Sequence, residues 1–273
     1  MVFKFPILLQ DKGRNVMLHK SVLTAAALAA SGLISCFAGA ANAAEIKLLS
    51  TVALKSVMEL VLPDFERTSG HKLTALYGTA ASLKKRIDEG ELFDVAVLNP
   101  AQIDDLIKRG KAATVARADL SRAGPGLGIR ADASKPDIST DEKLKAFLLG
   151  VKSISHGDPA AGGFSAVYFV KMSTAMGIAE ALKSKTTYSK PGDGATLVAK
   201  GEVELGVGMM SEVVPVAGVQ ALPFRTDDPA SFSVHTGAIA AGTKDADAAR
   251  ALLAFLQSPK AKDVIKSQGM VAP

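Results

Sequence analysis

The chain has 273 residues, a formal net charge of +5, 48% hydrophobic residues, no Trp and one Cys, Cys36. One cysteine excludes a disulfide framework and a thiolate metal cluster. The basic excess is mostly N-terminal. Removing residues 1–43 takes away Lys4, Lys12, Arg14, Lys20 and Asp11 and leaves +2, which gives no reason to expect a nucleic-acid partner.

Residues 1–43 are expected to be a signal peptide. Lys20 precedes an apolar run, Ser21 to Ala30, and Ala41-Asn42-Ala43 supplies a small-x-small processing site, so cleavage is expected before Ala44. The run is too short and too rich in small residues for a membrane span. Met17 is an alternative start. Leu33-Ile34-Ser35-Cys36 loosely resembles a lipoprotein box and is a rival processing site. After cleavage before Ala44 the chain has no thiol, so its stability must come from its core. About 230 residues can bury one large core or two smaller ones.

From there strands and helices alternate with short connections. Glu45–Ser50 reads as a strand and Ala53–Thr68 as a helix, in which Pro63 should produce a kink or a break. Lys72–Tyr77 is a second strand, followed by a small polar turn over Gly78-Thr79-Ala80-Ala81-Ser82 and a helix from Leu83 to Glu89. Phe93–Leu98 reads as a buried strand, and Ala101–Arg109 as a helix stopped by Gly110. This is the pattern of an open parallel α/β sheet. Gly124–Arg130 reads as a strand leading into a second lobe. It is not a dinucleotide fingerprint, because Pro125 interrupts the turn and no helix follows in register.

A helix, Asp141–Leu149, and a strand, Val151–Ser155, come next. The turn His156-Gly157-Asp158-Pro159 and a small-residue stretch, Ala160 to Ser165, then lead into a helix from about Ala166 to Gly177. Lys185–Ser189, a short helix from Gly192-Asp193-Gly194 to Lys200, and strands Glu204–Met209, Val219–Phe224 and Phe232–Ala241 follow. Helices over Asp245–Gln257 and Lys260–Gln268 close the chain. The expected division is 44–123 with 232–273 in one lobe and 124–231 in the other.

In open α/β sheets ligands bind beyond the carboxyl ends of the strands. Ser50, Thr51, Thr79, Ala80, Ser82, Asn99, Gly163 and Ser165 all fall at such ends and are the candidate ligand-binding residues. The first N–H groups of a helix have no partner inside it and carry partial positive charge, so a start flanked by small residues can hold an anion without Lys or Arg. An ordinary N-cap formed by Thr79 or Ser82 is the alternative use of that turn.

The opening EIKLLSTVALKSVMELVLPDFERTSGHKLTALYGTAASLKKRIDEGELFDVAVLN resembles the periplasmic molybdate-binding family. So do the HGDP turn, the segment GEVELGVGMMSEV and the ending ALLAFLQSPKAKDVIKSQGM. The resemblance implies a type II periplasmic-binding-protein fold, two α/β lobes joined by crossing strands around a ligand cleft. It implies a monomeric, periplasmic solute receptor that delivers a small anionic ligand of the molybdate or tungstate type to the membrane permease of an ABC transporter. Oxyanion binding would be by backbone amides and hydroxyls, with no cofactor, no metal and no catalysis. At matching positions, donor side chains of the family are replaced by Ala53, Ala80 and Met209, so a small organic anion is the alternative ligand.

Other chemistry has weaker support. His156 and Asp158 could form a metal pair or part of an enzyme site, although Asp158 fixing a Gly-Asp-Pro turn explains it as well. There is no Gly-x-Ser-x-Gly elbow and no phosphate loop. Lys84-Lys85-Arg86 reads as a solvated helix face or a weak anion-steering patch. Phe164, Tyr168 and Tyr77 read as packing residues. A sensor module reporting its ligand to a membrane receptor is a third class.

Overall fold

A computed structural model describes residues 43–273. The expected signal peptide and Cys36 lie outside the described residues. No helix among the described residues is long and apolar enough to cross a membrane.

Strand β1 (Glu45–Thr51) runs through a single 3-10 turn, Val52–Leu54, into helix α1 (Lys55–Ser69). Val57, Met58, Val61, Leu62 and Phe65 recur at helical spacing and are buried, which fixes α1 against the sheet. Gly70, with φ of +76°, ends it. Pro63 neither ends nor divides α1, which continues to Ser69. The packed face outweighs the loss of one backbone bond.

β2 (Lys72–Gly78), α2 (Ala80–Asp88), β3 (Val95–Leu98), α3 (Pro100–Lys108) and β4 (Ala112–Ala123) complete the first pass through this lobe. The chain then crosses at Gly124 into β5 (Pro125–Arg130). The second lobe continues with α4 (Asp141–Gly150), β6 (Ile154–Gly157), α5 (Phe164–Ala175), α6 (Ala179–Lys183), β7 (Thr186–Ser189), α7 (Gly194–Ala199), β8 (Leu205–Met209), α8 (Met210–Val213) and β9 (Val219–Pro223). It returns through β10 (Ser233–Ala240), and α9 (Ala246–Leu256) and α10 (Pro259–Ser267) finish the first lobe. β4, α6 and α8 were not expected from the sequence. α2 and α5 begin at Ala80 and Phe164, before the expected Leu83 and about Ala166, so each helix starts inside its small-residue turn.

The two sheets have the same plan. The first has strand order β2-β1-β3-β10-β4 and the second β7-β6-β8-β5-β9. In the first, β1 is parallel to β2 and β3, and β10 is antiparallel to β3 and β4. In the second, β6 is parallel to β7 and β8, and β5 is antiparallel to β8 and β9. Both faces of the first sheet are covered. Ile46, Leu48, Val95 and Val97 pack with α1 and α9 residues, while Leu49, Ala96 and Leu98 pack with α2 and α3 residues. The second lobe has its own core around Leu127, Ile154, Phe169, Leu205 and Leu222.

Parallel βα units send each strand's carboxyl end to the same edge of its sheet. Because β10 runs antiparallel, its start, Ser233, lies on that same edge, and Thr236 pairs with Leu98 near the end of β3. The corners that carry small residues therefore meet between the lobes.

Candidate functional site

Between the lobes lies a cavity of about 50 Å³. From the first lobe it is lined by Thr51, Val52 and Ala53 after β1, Gly78, Thr79 and Ala80 at the β2–α2 corner, Asn99 at the β3–α3 corner, and Ser233 and His235 of β10. From the second it is lined by Gly157 and Asp158 after β6, Gly162 to Ala166 at the start of α5, Pro191 and Gly192, and Val207, Met209 and Glu212.

Six of the eight expected site residues line it: Thr51, Thr79, Ala80, Asn99, Gly163 and Ser165. Ser50 does not. It is fully buried beside Thr51 in β1, where successive side chains point to opposite faces, and its hydroxyl lies 3.4 Å from the Thr51 carbonyl. Ser82 also stands outside. It is exposed in the first turn of α2, its N–H donates to Thr79 Oγ1 at 3.1 Å and its hydroxyl donates to the Thr79 carbonyl at 2.9 Å. Thr79 is thus the ordinary N-cap of α2 and a cavity residue at once.

Two helix starts from opposite lobes face the cavity. In α2 the first backbone N–H with an intrahelical acceptor is that of Leu83, to Thr79 O; Ser82 is capped, and Ala80 and Ala81 keep N–H groups without an intrahelical acceptor. In α5 the first is that of Val167, to Gly163 O, which leaves the N–H groups of Phe164, Ser165 and Ala166. Thr51 Oγ1 is buried and has no hydrogen-bond partner. Such a group costs about 1–3 kcal/mol unless something in the cavity satisfies it.

Contacts across the cleft hold the lobes close together. Thr79 Oγ1 donates to the Ala161 carbonyl at 2.7 Å, and Ser56 Oγ donates to the Ser211 carbonyl at 3.0 Å.

Among the described residues no Lys or Arg lines the cavity; its charged side chains there are Asp158, exposed at the rim, and Glu212, half-buried. Lys84 reaches Asp88 and Asp105 at 2.8 and 2.9 Å, and Arg86 reaches Glu91 at 2.8 Å. The basic run on α2 is therefore spent on neighbouring carboxylates.

Sequence reasoning did not assign Glu212, Ser233 or His235 to the site. Burial pushes Glu212 up to about 7, helped by the Asp193 charge and opposed by the Met209 N–H, which donates to Glu212 Oε2 at 2.8 Å. His235 is buried, with Nδ1 3.0 Å from Ser121 Oγ, and burial pushes it down to about 4, so the imidazole is neutral at pH 7. Glu212 had no sequence signal, because the capping box that would mark it needs Ser or Thr at the N-cap and Met209 stands there. His235 had only its polarity within an apolar strand. Phe164, expected to be a packing residue, both lines the cavity and stacks on Tyr168 at 6.3 Å.

The possible metal pair is otherwise engaged. Asp158 accepts the Ala160 N–H at 2.9 Å and caps a 3-10 turn. His156 is buried between Phe169 and Tyr188, each with ring centroids 5.4 Å away, and its Nδ1 lies 2.7 Å from the Gly157 carbonyl.

Two α/β lobes, two crossing connections and a closed cavity at opposed helix starts define the class of two-lobed solute-binding folds. Residues 46–271 match the bacterial extracellular solute-binding protein family, and the chain belongs to it. Proteins of this family bind a small ligand and deliver it to an ABC permease, and the family implies export to the periplasm. The chain is 26% identical over 231 residues to an aconitate isomerase from a Pseudomonas species, covering 82% of this chain and 87% of that protein. It is 27% identical over 256 residues to the molybdate-binding protein ModA of Azotobacter vinelandii, covering 88% and 93%. The solved Azotobacter vinelandii periplasmic molybdate-binding protein superposes with a TM-score of 0.70 at 17% identity, over 84% of this chain and 99% of that one.

Proposed function

We propose that the cavity binds one small oxyanion of the molybdate or tungstate type, or a carboxylate of similar size, as the receptor of an ABC transporter. The observation that carries this reading is the buried, unpartnered Thr51 Oγ1 in a cation-free cavity faced by two helix starts. Helix-terminal N–H groups and hydroxyls are suited to an anion that must later be released. Size favours a small guest: about 50 Å³ accommodates about four water-sized volumes, near the bulk of a tetrahedral oxyanion. Ala53, Ala80 and Met209 all line the cavity, so the side-chain donors the molybdate-binding resemblance would place there are absent. That keeps the small carboxylate in the reading.

The test is thermal unfolding of the processed protein against molybdate, tungstate, sulfate, phosphate, acetate and succinate. One anion is expected to raise the melting temperature progressively with the logarithm of its concentration, by about 2.7 kcal/mol of added stability at a hundredfold excess over Kd. Thr51→Val should weaken that anion about 10-fold and leave the unliganded protein as stable or more so, since it removes an unsatisfied hydroxyl. No response to any member of the panel would overturn the reading.

A second reading rests on Glu212 together with the aconitate isomerase relative. A carboxyl titrating near 7 inside a cavity can both take and give a proton, as an allylic proton shift requires. A tricarboxylate is larger than the cavity, so this reading needs the lobes further apart. On this reading cis-aconitate incubated with the protein gives trans-aconitate, followed by ultraviolet absorbance, and Glu212→Gln abolishes the conversion. No conversion above the rate without protein removes this reading.

A further inference from the structure

Glu212 is anomalous in a cavity faced by helix starts. It enters from the first turn of α8, and one oxygen, Oε2, is held by the Met209 N–H at 2.8 Å. A Cβ at residue 208 would stand 2.9 Å from that oxygen, so Gly208 leaves the carboxyl its room. No salt bridge among the described residues involves Glu212, and no Lys or Arg lines the cavity. Glu212 is half-buried, and a carboxylate without a counter-ion beside a bound anion would put two like charges together where water screens them poorly.

We propose that Glu212 contacts the bound anion and takes up a proton as the anion enters, donating the new O–H to it, so that the site accepts its guest as an anion–proton pair. This rests on the anion-binding reading above and adds the residue that sets its pH dependence. The balance is simple. One proton moves from solvent to a Glu212 carboxylate oxygen, that O–H bond then donates to an anion oxygen, and no other bond changes.

The surrounding groups agree with this assignment. Asp193, before α7, adds negative charge near Glu212. Across the cavity stand Asp158, at the rim, and His235, which is neutral around pH 7. Of the elements packed on α8, α1 carries the exposed Lys55 and Glu59, which pair at 3.7 Å. β5 carries Arg130, paired with Asp132 at 2.8 Å, and β8, β9 and α7 carry no ionisable side chain. Empty, Glu212 is half ionised near pH 7. Below that it already holds its proton, and above it the anion must bring one in.

The experiment is titration calorimetry of the full processed protein with molybdate, and separately with acetate, between about pH 6 and 8.5, in buffer pairs of different ionisation heat. Proton uptake per anion bound should rise from near zero at the acid end towards one at the alkaline end. Affinity should fall up to tenfold per pH unit above about 7. Glu212→Gln keeps a donor without the proton, so it should bind with no uptake and no slope, and tighter than the original protein at pH 8.5. Binding without proton uptake at any pH overturns the assignment, as does an unchanged slope in Glu212→Gln. If that variant does not fold, the two-buffer measurement on the original protein decides alone. Failure of every anion at every pH overturns the anion-binding reading itself, a result distinct from binding without protons.

Discussion

Gly206→Ala is expected to be the most damaging single methyl in the second lobe. A Cβ there would lie 2.5 Å from the Gly194 carbonyl oxygen, 2.6 Å from its carbon and 2.8 Å from the Ala195 nitrogen. All three are backbone atoms, so no rotamer relieves the contact. β8 and α7 would have to separate, although β8 is packed on the second core through Leu205 and Val207 and α7 lies against β8, β5 and β6. Overpacking of this kind costs about 1–3 kcal/mol where side chains can shift, and more where they cannot. A loss of about 3 kcal/mol corresponds to a fall of roughly 6–12 °C in melting temperature for a chain of this size. Calorimetry should show it in the absence of any ligand. A fall of less than about 2 °C would mean that α7 does not sit this close to β8.

Gly162→Ala should act mainly on closure and less on the lobes themselves. Gly162 has φ of +72°, and a Cβ there would meet one atom within 4 Å, the Ala81 Cβ of the opposite lobe, at 2.7 Å. The clash exists only when the lobes are together. Part of the cost is local, because a left-handed alanine loses about 1 kcal/mol wherever the lobes stand. The remainder opposes the closed form, in which Thr79 reaches the Ala161 carbonyl. Anion affinity is expected to fall about 10- to 100-fold. Adding Ala81→Gly removes the interlobe clash and leaves the backbone strain, so the double variant should recover most of the affinity. If Gly162→Ala binds the anion as well as the original protein, the closed arrangement is not the liganded one.

Much of this architecture can be read from local pattern. The small residues after β1, β2 and β6 stood out because strand ends and helix starts leave compositional marks over a few residues. The crossings follow from element order, with Phe232–Ala241 alternating enough to suggest a return to the first lobe, and the resemblance implies them as well. Two expected residues fall outside the cavity where local marks are ambiguous. Ser50 and Thr51 are adjacent, and one step along a strand decides which of them turns to the cavity. Thr79 and Ser82 both read as helix-start residues, but Thr79 caps the helix and Ser82 is left on its outer face. Glu212 and His235 were missed for a different reason. An acidic residue does not recommend itself for an anion site, and only the three-dimensional meeting of α8 and β10 with the first-lobe corners shows both at the cavity wall. Pro63 does not divide α1 because its backbone cost is local, whereas the burial that outweighs it is tertiary.

The two helix starts belong to different lobes, and this bears on how a guest would leave. The pull of a helix terminus fades within about one turn, roughly 5 Å. For a guest held as proposed, prying the halves apart by that distance removes one terminus entirely and lets solvent take over its share of the oxygens. Among the described residues no ion pair bridges the two lobes, so none has to be ruptured on the way. A membrane partner that only levers the two bodies open would thereby convert a tight grip into a loose one, without touching the cargo.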